Sequence, residues 1–155
     1  MSFAVRRLQK ELSKIHKDGL PQGISLVKAD DFDEWLLDIR VFGENPLYKG
    51  QRFRLKFKFG NNYPIEPPEV TFTTGLERQI PMHPHIYSNG IICLDLLSPS
   101  QGWSPVQNVE SVCVSIQSML ASNRKNERPE GNDEFVARNT KSPKHINFVY
   151  DDPTV

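Results

Sequence analysis

The stretches EWLLDIRV, residues 34–41, and RFRLKFKF, residues 52–59, decide the fold class of this 155-residue chain. Apolar side chains occupy every second position of each stretch, as they do on a β-strand with one buried face. Shorter segments of the same kind begin at Ile24 and near Val70, and Gly- or Pro-containing segments separate the four candidates. The pattern predicts an antiparallel meander of four strands whose apolar face packs against helices.

A helical period precedes the predicted strands. Residues 2–17 place one set of apolar side chains on a single helical face, namely Val5, Leu8, Leu12 and Ile15. Gly19 and Pro21 are expected to end this helix. The opposite face is basic, and such a face is either simply solvated or a docking surface for a partner.

A second helix is predicted after the sheet, with an apolar face made of Val109, Val112, Cys113, Ile116, Met119 and Leu120. Its start is ambiguous, because Ser104 with Pro105, and Asn108, each match helix-capping preferences. Cys113 is expected to be a buried structural thiol. A short third helix is predicted from a cap at Asp133 through Ala137. A helix, a run of strands and further helices indicate an α+β fold.

The composition narrows the class of protein. The chain has 19 Lys and Arg against 19 Asp and Glu, so no overall field favours nucleic acid or an acidic membrane. Two cysteines do not make a disulfide scaffold, the N-terminus lacks the apolar core of a signal peptide, and no apolar run reaches the ~18 residues of a membrane span. We expect an intracellular protein of the cytoplasm or nucleus, with residues 1–155 as one domain and 141–155 as a flexible C-terminal segment.

The stretch MHPHIYSNGIICL, residues 82–94, has the features of a reactive loop. Pro84 favours extended geometry at the residue before it, and Asn89-Gly90 is a strong signal for a tight turn that needs a positive φ. Cys93 follows this turn on a short apolar segment, with two histidines upstream. Such an arrangement would place a thiol on a loop.

Three interpretations of Cys93 compete. It is a small hydrophobic residue in a core strand, or it binds zinc together with His83 and His85, or it is a nucleophile. The zinc set supplies only three ligands and lacks a Cys-x-x-Cys or His-x-x-x-His pair. A thiolate attacks acyl groups well, and the thioester that forms is still reactive toward amines. The residues alone do not choose between hydrolysis and acyl transfer.

Several short motifs together resemble the ubiquitin-conjugating enzymes. They are RLQKEL at 7–12, Trp35, Tyr63-Pro64 with Pro67-Pro68, His83-Pro84, YSNGIICL at 87–94, WSP at 103–105 and SIQSML at 115–120. The resemblance covers roughly residues 3–138. It implies the fold of that family: an N-terminal helix, a four-stranded antiparallel sheet, a central helix after the active-site cysteine, and short C-terminal helices. It also favours the later start of the central helix, near Asn108.

One position departs from the usual motif of the family, which is His-Pro-Asn. Here position 85 is His, and His-Pro-His with the tail HINFVYDD at 145–152 resembles the W-type branch. That resemblance implies attachment of a single ubiquitin to the α-amino group of substrate N-termini. Transfer to lysine, or of another ubiquitin-like modifier, is the alternative enzymatic interpretation. A noncovalent ubiquitin-binding module is the alternative of a different class.

The resemblance implies a role for each residue near the thiol. Cys93 would carry ubiquitin as a thioester, His85 would support the oxyanion or act as a base, and His83 would be structural. Glu127 aligns with an acidic residue that assists incoming lysines in many members. Four residues would line the cleft, namely Tyr87, Asn89, Leu94 and Asp95. No metal or cofactor is implied, since ATP is used by the activating enzyme.

The same resemblance implies partners and their surfaces. The partners are ubiquitin, the ubiquitin-activating enzyme, RING or U-box ligases, and protein substrates with exposed N-termini; nucleic acid and membranes are not expected. Arg6, Arg7 and Lys10 match the helix face that meets the activating enzyme and ligases. Ile65 and the Pro105-Val106 pair match two loops that hold the ligase.

Overall fold

The computed structural model of this chain describes residues 2–43, 45–75 and 77–139. The elements of this part are, in order, α1 (Phe3–Asp18), β1 (Ile24–Lys28), β2 (Glu34–Arg40), β3 (Arg52–Lys58), β4 (Glu69–Thr73), a 3₁₀ turn (Asp95–Leu97), α2 (Val109–Ala121) and α3 (Asn132–Arg138). The segment predicted to be flexible, 141–155, lies outside the described residues. In the described ranges, no helix combines the length and apolar character needed to cross a membrane.

The predicted meander is confirmed. The sheet has the order β1-β2-β3-β4, and each neighbouring pair is antiparallel. Leu37 of β2 lies opposite Leu55 of β3, which in turn lies opposite Phe72 of β4. All three side chains are buried, since the pleat brings every second residue to the same face. The alternating residues therefore form the sheet side of the hydrophobic core.

Helix α1 begins and ends as its sequence predicts. The Ser2 hydroxyl accepts a hydrogen bond from the Val5 amide at 3.2 Å, and Gly19, at φ 76°, donates its amide to the Ile15 carbonyl. This satisfies backbone groups that a helix leaves unpaired at its ends. Leu8 is fully buried against the core, whereas the basic face is turned outward.

Helix α2 takes the later of its two possible starts. Asn108 accepts a hydrogen bond from the Ser111 amide at 2.7 Å, and the Ser111 hydroxyl accepts one from the Asn108 amide at 2.8 Å. This reciprocal capping box fixes the first turn, and Ser104 lies in the preceding loop. Cys113 faces the core and is fully buried, as expected of a structural thiol.

The predicted cap of the third helix is wrong. The cap of helix α3 lies two residues earlier, at Gly131, which has a left-handed φ of 73° and makes no side-chain capping bond. The Asp133 carboxylate instead accepts a hydrogen bond from the Asn132 amide group. That amide also contacts Ser88, so a tertiary contact rather than a local cap sets this helix end.

Candidate active site

The tight turn at Asn89-Gly90 is docked on the edge of the sheet. The Phe72 amide donates to the Gly90 carbonyl at 2.9 Å, and Thr71 bridges to Ile91. Gly90 has φ 92°, and a Cβ added there would lie 2.1 Å from the Phe72 carbonyl oxygen. Only glycine fits both the backbone conformation and this close approach. The turn therefore has one fixed position relative to β4.

Cys93 is held beside His85 by a backbone contact. The Cys93 amide donates to the His85 carbonyl at 2.8 Å, and Ile86 bridges to Ile92. The Cys93 residue is 9% exposed. Burial raises the pKa of its thiol to about 12, and the nearby carboxylate of Asp95 adds to this effect. At neutral pH the site therefore presents a protonated thiol close to the surface.

His83 has a structural position. Its Nδ1 accepts a hydrogen bond from the His85 amide at 2.8 Å, and its Nε2 lies 3.3 Å from the Met119 carbonyl. The second contact requires a proton on Nε2, so the imidazole is the neutral Nε2–H tautomer. Burial lowers the pKa of His83 to about 4. With both nitrogens engaged, this ring is neither a general base nor a free ligand.

His85 is half-buried, and its ring centroid lies 5.7 Å from that of His83. The zinc interpretation needed these two rings together with Cys93. Within residues 2–43, 45–75 and 77–139, no three His, Cys, Asp or Glu side chains form a group that could hold a metal ion. Of the predicted site residues, the structure thus brings His85 and Cys93 together through their backbones.

Helix α3 packs on the turn that precedes the thiol. The ring of Tyr87 stacks on Phe135 with centroids 3.6 Å apart, and the Ser88 amide donates to Asn132. The side chain of Asn89 donates to the Asn139 carbonyl at 3.1 Å. Asn89, predicted to line the cleft, thus bonds to the end of α3. Burial raises the pKa of Tyr87, and the charge that Cys93 carries when ionised raises it further.

Two other predicted cleft residues follow the thiol directly. Leu94 is half-buried against the core, and Asp95 is exposed at the first position of the 3₁₀ turn. The Asp95 backbone carbonyl accepts from Ser98 at 2.8 Å. Its carboxylate acts on the site through its charge, by opposing ionisation of Cys93.

The loop after α2 supplies a contact that sequence reasoning missed. Glu127, the predicted acidic residue, is exposed on this loop. Its neighbour Arg128 donates to the backbone carbonyls of Ile80, Pro81 and Ile86, which bracket the two histidines. A lone arginine in a polar loop gives no sequence signal of this, because its partners lie more than 40 residues away.

Two loops form an exposed apolar surface. Ile65 is 65% exposed and Val106 is 82% exposed, with Pro105 exposed beside it. The Trp103 indole N–H donates to the Pro64 carbonyl at 2.8 Å and joins the two loops. The structure therefore places the three predicted ligase-contacting residues of these loops at the surface.

Arg7 differs from the other cations of α1. Arg6 and Lys10 are exposed, whereas Arg7 donates to the Pro105 carbonyl at 3.0 Å and to the Gln107 carbonyl at 2.8 Å. Sequence reasoning placed Arg7 on the docking face itself. The structure shows Arg7 bound to the loop that carries Val106, so its guanidinium holds the backbone of that loop in place.

Glu11 completes the connection. Its carboxylate accepts from Arg7 at 3.1 Å, from the Val109 amide at 2.8 Å, and from the Tyr63 hydroxyl. One half-buried acid thus joins α1, the start of α2 and the loop that bears Ile65. The negative charge of Glu11 and burial both raise the pKa of Tyr63, burial more strongly.

The sequence profile described as "Ubiquitin-conjugating enzyme" matches residues 7–149. The chain belongs to the ubiquitin-conjugating enzymes. It is 41% identical over 157 residues to the probable ubiquitin-conjugating enzyme E2 W-A of Danio rerio, covering 99% of each chain. It is 43% identical over 152 residues to the probable ubiquitin-conjugating enzyme E2 W of Dictyostelium discoideum, covering 97% of this chain and 96% of the other. These relatives place it on the W-type branch.

Solved structures agree with this assignment. The ubiquitin-conjugating enzyme UbcA1 from Agrocybe aegerita superimposes with a TM-score of 0.87 at 46% identity, over 93% of this chain and 100% of the other. The helix, the four-stranded antiparallel sheet and the later helices are therefore the fold of the family. As a ubiquitin-conjugating enzyme the protein is an acyltransferase, and its partners are ubiquitin, an activating enzyme and a ligase.

Proposed function

We propose that Cys93 is the residue that carries ubiquitin. In the first step its sulfur bonds to the carbonyl carbon of the ubiquitin C-terminal glycine, and the thiol of the activating enzyme leaves. In the second step an amine nitrogen bonds to that carbon, and the Cys93 sulfur departs and regains a proton. The observation that carries the proposal is the position of this thiol, which is 9% exposed, follows a fixed turn and has its backbone amide bonded to the His85 carbonyl.

The shielded state of the thiol fits this role. With a pKa of about 12, roughly one Cys93 in 10⁵ is a thiolate at pH 7. Unwanted electrophiles react with thiolates, so the free enzyme is protected from them. Proton removal then belongs to the complex with the activating enzyme, where the acceptor and donor sulfurs meet. The enzyme needs no cofactor of its own in this scheme, because ATP is consumed by its partner.

The test uses activating enzyme, ATP and ubiquitin. The wild-type protein should gain an adduct that a reducing agent removes, and Cys93→Ala should not. A reducible adduct on Cys93→Ala would reject the assignment.

We propose that His85 supports the second step. It replaces the family's usual Asn, and its carbonyl holds the Cys93 amide. Two roles are open to an imidazole: donating a hydrogen bond to the tetrahedral oxyanion, or accepting the proton of the attacking amine. His85→Asn separates them, because an amide donates but is not a base. Amide formation by His85→Asn at a rate near that of wild type identifies a donor, and a loss equal to that of His85→Ala identifies a base.

We propose that the acceptor is the α-amino group of a substrate N-terminus, which receives one ubiquitin. An α-amine has a pKa of about 7.7 and a lysine about 10.4, so the α-amine needs less help to lose its proton. The exposed, solvated position of Glu127 fits a site with little apparatus for lysine. Loaded enzyme should discharge onto a lysine-free peptide with a free N-terminus faster than onto its acetylated, lysine-containing counterpart. The reverse order would reject the preference.

We propose that the ligase partner is a RING or U-box protein that binds across Ile65, Pro105 and Val106. The exposed apolar side chains of Ile65 and Val106 suit such a docking surface, and Arg7 of α1 holds the loop that carries Val106. Val106→Asp should abolish binding of a cognate RING domain without changing thioester formation. Phe42→Asp, at an exposed aromatic residue outside these two loops, is the matched control. Equal binding by Val106→Asp and wild type would place the ligase elsewhere.

We also propose that the enzyme works inside the cell, in the cytoplasm or nucleus. Both thiols are free, which suits a reducing compartment. Imaging of a fluorescent fusion would test this, and secretion of the fusion would contradict it.

A further inference from the structure

Residues 80–86, here termed the histidine segment, are held at both ends by one side chain. Arg128 Nη1 donates to the Pro81 carbonyl at 2.6 Å and to the Ile86 carbonyl at 3.1 Å, and Nη2 donates to the Ile80 carbonyl at 3.1 Å. Pro84 and its two flanking histidines lie between these anchors. A single guanidinium thus fixes the distance between the start and the end of the segment.

The Met82 carbonyl, inside the segment, is held by Tyr48, which the loop after α2 supports. The Tyr48 hydroxyl donates to the Met82 carbonyl at 2.6 Å, and Asn123 donates to that hydroxyl at 2.7 Å. Asn123 and Arg128 both follow α2. The loop after α2 therefore contacts both ends of the histidine segment directly, through Arg128, and supports the Met82 carbonyl indirectly, through Tyr48.

A short path leads from Arg128 to the thiol. Arg128 holds the carbonyl of Ile86, the residue next to His85, and the His85 carbonyl accepts the Cys93 amide at 2.8 Å. Movement of the Ile86 peptide would shift His85 and the Cys93 backbone together. Because a displacement of about 1 Å can cost a hundredfold in rate, such an anchor matters for the chemistry.

Only arginine suits this position. A guanidinium is planar and offers five N–H donors in a fixed fork, and here at least three donor contacts reach three carbonyls. A lysine ammonium is a compact point charge on a flexible stem, so it would not hold the two ends at a set distance. Arg128 is half-buried, so its charge is partly withdrawn from water and depends on these carbonyls.

We propose that Arg128 is a positioning residue for amide formation, holding His85 next to the acyl group on Cys93. This rests on the proposed roles of those two residues. The residue acts through the histidine segment and does not touch substrate. It is distinct from Glu127, the neighbouring residue that the family alignment indicated.

The experiment follows single-turnover discharge. Enzyme is loaded with ubiquitin, the activating enzyme is stopped, and a lysine-free peptide with a free N-terminus is added. Arg128→Ala should slow discharge by about tenfold or more, while the rate of loading changes by less than about threefold. Arg128→Lys should show the same pattern, because charge alone does not replace the fork.

Arg124→Ala is the matched control, since this exposed arginine lies in the same loop and, among the described residues, donates to the nearby carbonyls of Ala121 and Asn123. It should load and discharge like wild type. Guanidinium chloride, below concentrations that unfold the protein, should restore part of the discharge rate of Arg128→Ala, whereas equal urea should not. Melting temperatures establish that each variant is folded.

A double-mutant cycle gives the decisive result. If Arg128 acts through His85, the double variant with both residues changed to Ala should discharge no more than about twofold slower than His85→Ala alone. If the double variant instead loses rate by the product of the two single losses, the proposal is overturned. Unchanged discharge by Arg128→Ala would also overturn it, and so would equal slowing of loading and discharge that guanidinium chloride does not reverse. Failure of wild type to load, or wild-type discharge by His85→Ala, would instead show that the proposed function is wrong.

Discussion

The two cysteines of this chain have similar neighbours in the sequence and different environments in the fold. Cys93 follows Ile91 and Ile92, and Cys113 lies between Val112 and Val114. Burial raises the pKa of both thiols. Neither cysteine is an ionised, activated nucleophile in the free protein, so ionisation does not distinguish a functional thiol from a structural one here.

Position and access distinguish them. Cys113 lies on the inner face of α2 and is 0% exposed, whereas Cys93 is 9% exposed on a loop fixed by the sheet edge. Cys93 is partly accessible from solvent, whereas an acyl group attached to the fully buried Cys113 would displace the core. The comparison teaches that the proposed ubiquitin-carrying cysteine differs from the structural one in where the backbone holds it.

The largest expected effect separates the two thiols directly. Cys93→Ala should abolish ubiquitin loading, while Cys113→Ala should load normally and lose about 1–2 kcal/mol of unfolding free energy to a small cavity. Gel assays of the reducible adduct and urea denaturation measure the two outcomes. Loss of loading by folded Cys113→Ala would break the comparison.

The turn before Cys93 provides the next test. Gly90→Ala forces a Cβ to within 2.1 Å of the Phe72 carbonyl oxygen at φ 92°. We expect a loss of about 2–4 kcal/mol in unfolding free energy, together with slower loading. Gly50→Ala is the control, because its φ of 74° is also positive but, apart from its chain neighbours, no heavy atom of the described residues lies within 4 Å of the new Cβ. It should lose only about 1 kcal/mol, and equal losses would show that docking on β4 contributes nothing.

Protonation of His83 connects the two regions, because this ring lies beside His85 and contacts Met119 of α2. Its pKa is about 4 when folded and about 6.5 when unfolded. Between these values the unfolded chain binds a proton that the folded protein does not, so stability falls as pH drops from 6.5 toward 4. The contribution lost is on the order of 2–3 kcal/mol.

Two measurements check this pH dependence. Urea denaturation at pH 7 and pH 5 should show a larger loss for wild type than for His83→Gln, which has no titrating ring. NMR should show the His83 imidazole as the neutral Nε2–H form at pH 5. Titration of His83 near pH 6.5 would contradict a buried ring whose two nitrogens are both hydrogen-bonded.

The smallest expected effect is in alkylation. Cys93 should react with a neutral reagent before Cys113, which requires an opening of the core. Because its pKa is about 12, the logarithm of the Cys93 rate should rise linearly with pH to at least pH 10. Peptide mass spectrometry follows alkylation at each site. A plateau of the Cys93 rate near pH 8–9 would indicate a thiol that ionises there, and would show that burial does not suppress its ionisation.

Much of the fold could be predicted from local pattern. Alternation at 34–41 and 52–59 indicated the strands, and the Asn89-Gly90 turn needed only its two residues. The apolar spacing that includes Cys113 placed that thiol inside. These features depend on a residue and its immediate neighbours, whose periodicity and backbone preferences are local properties.

The sequence by itself determined the helix–meander–helix order, the turn before Cys93 and, through resemblance, the family. The tertiary structure alone decided which residues hold the site: Met119 opposite His83, Gln107 opposite Arg7, and Ile80 with Ile86 around Arg128. It also placed Gly131 rather than Asp133 before α3. Every residue has a backbone carbonyl that can accept a hydrogen bond, whatever its side chain. The sequence pattern therefore cannot reveal which carbonyls folding brings to these side chains.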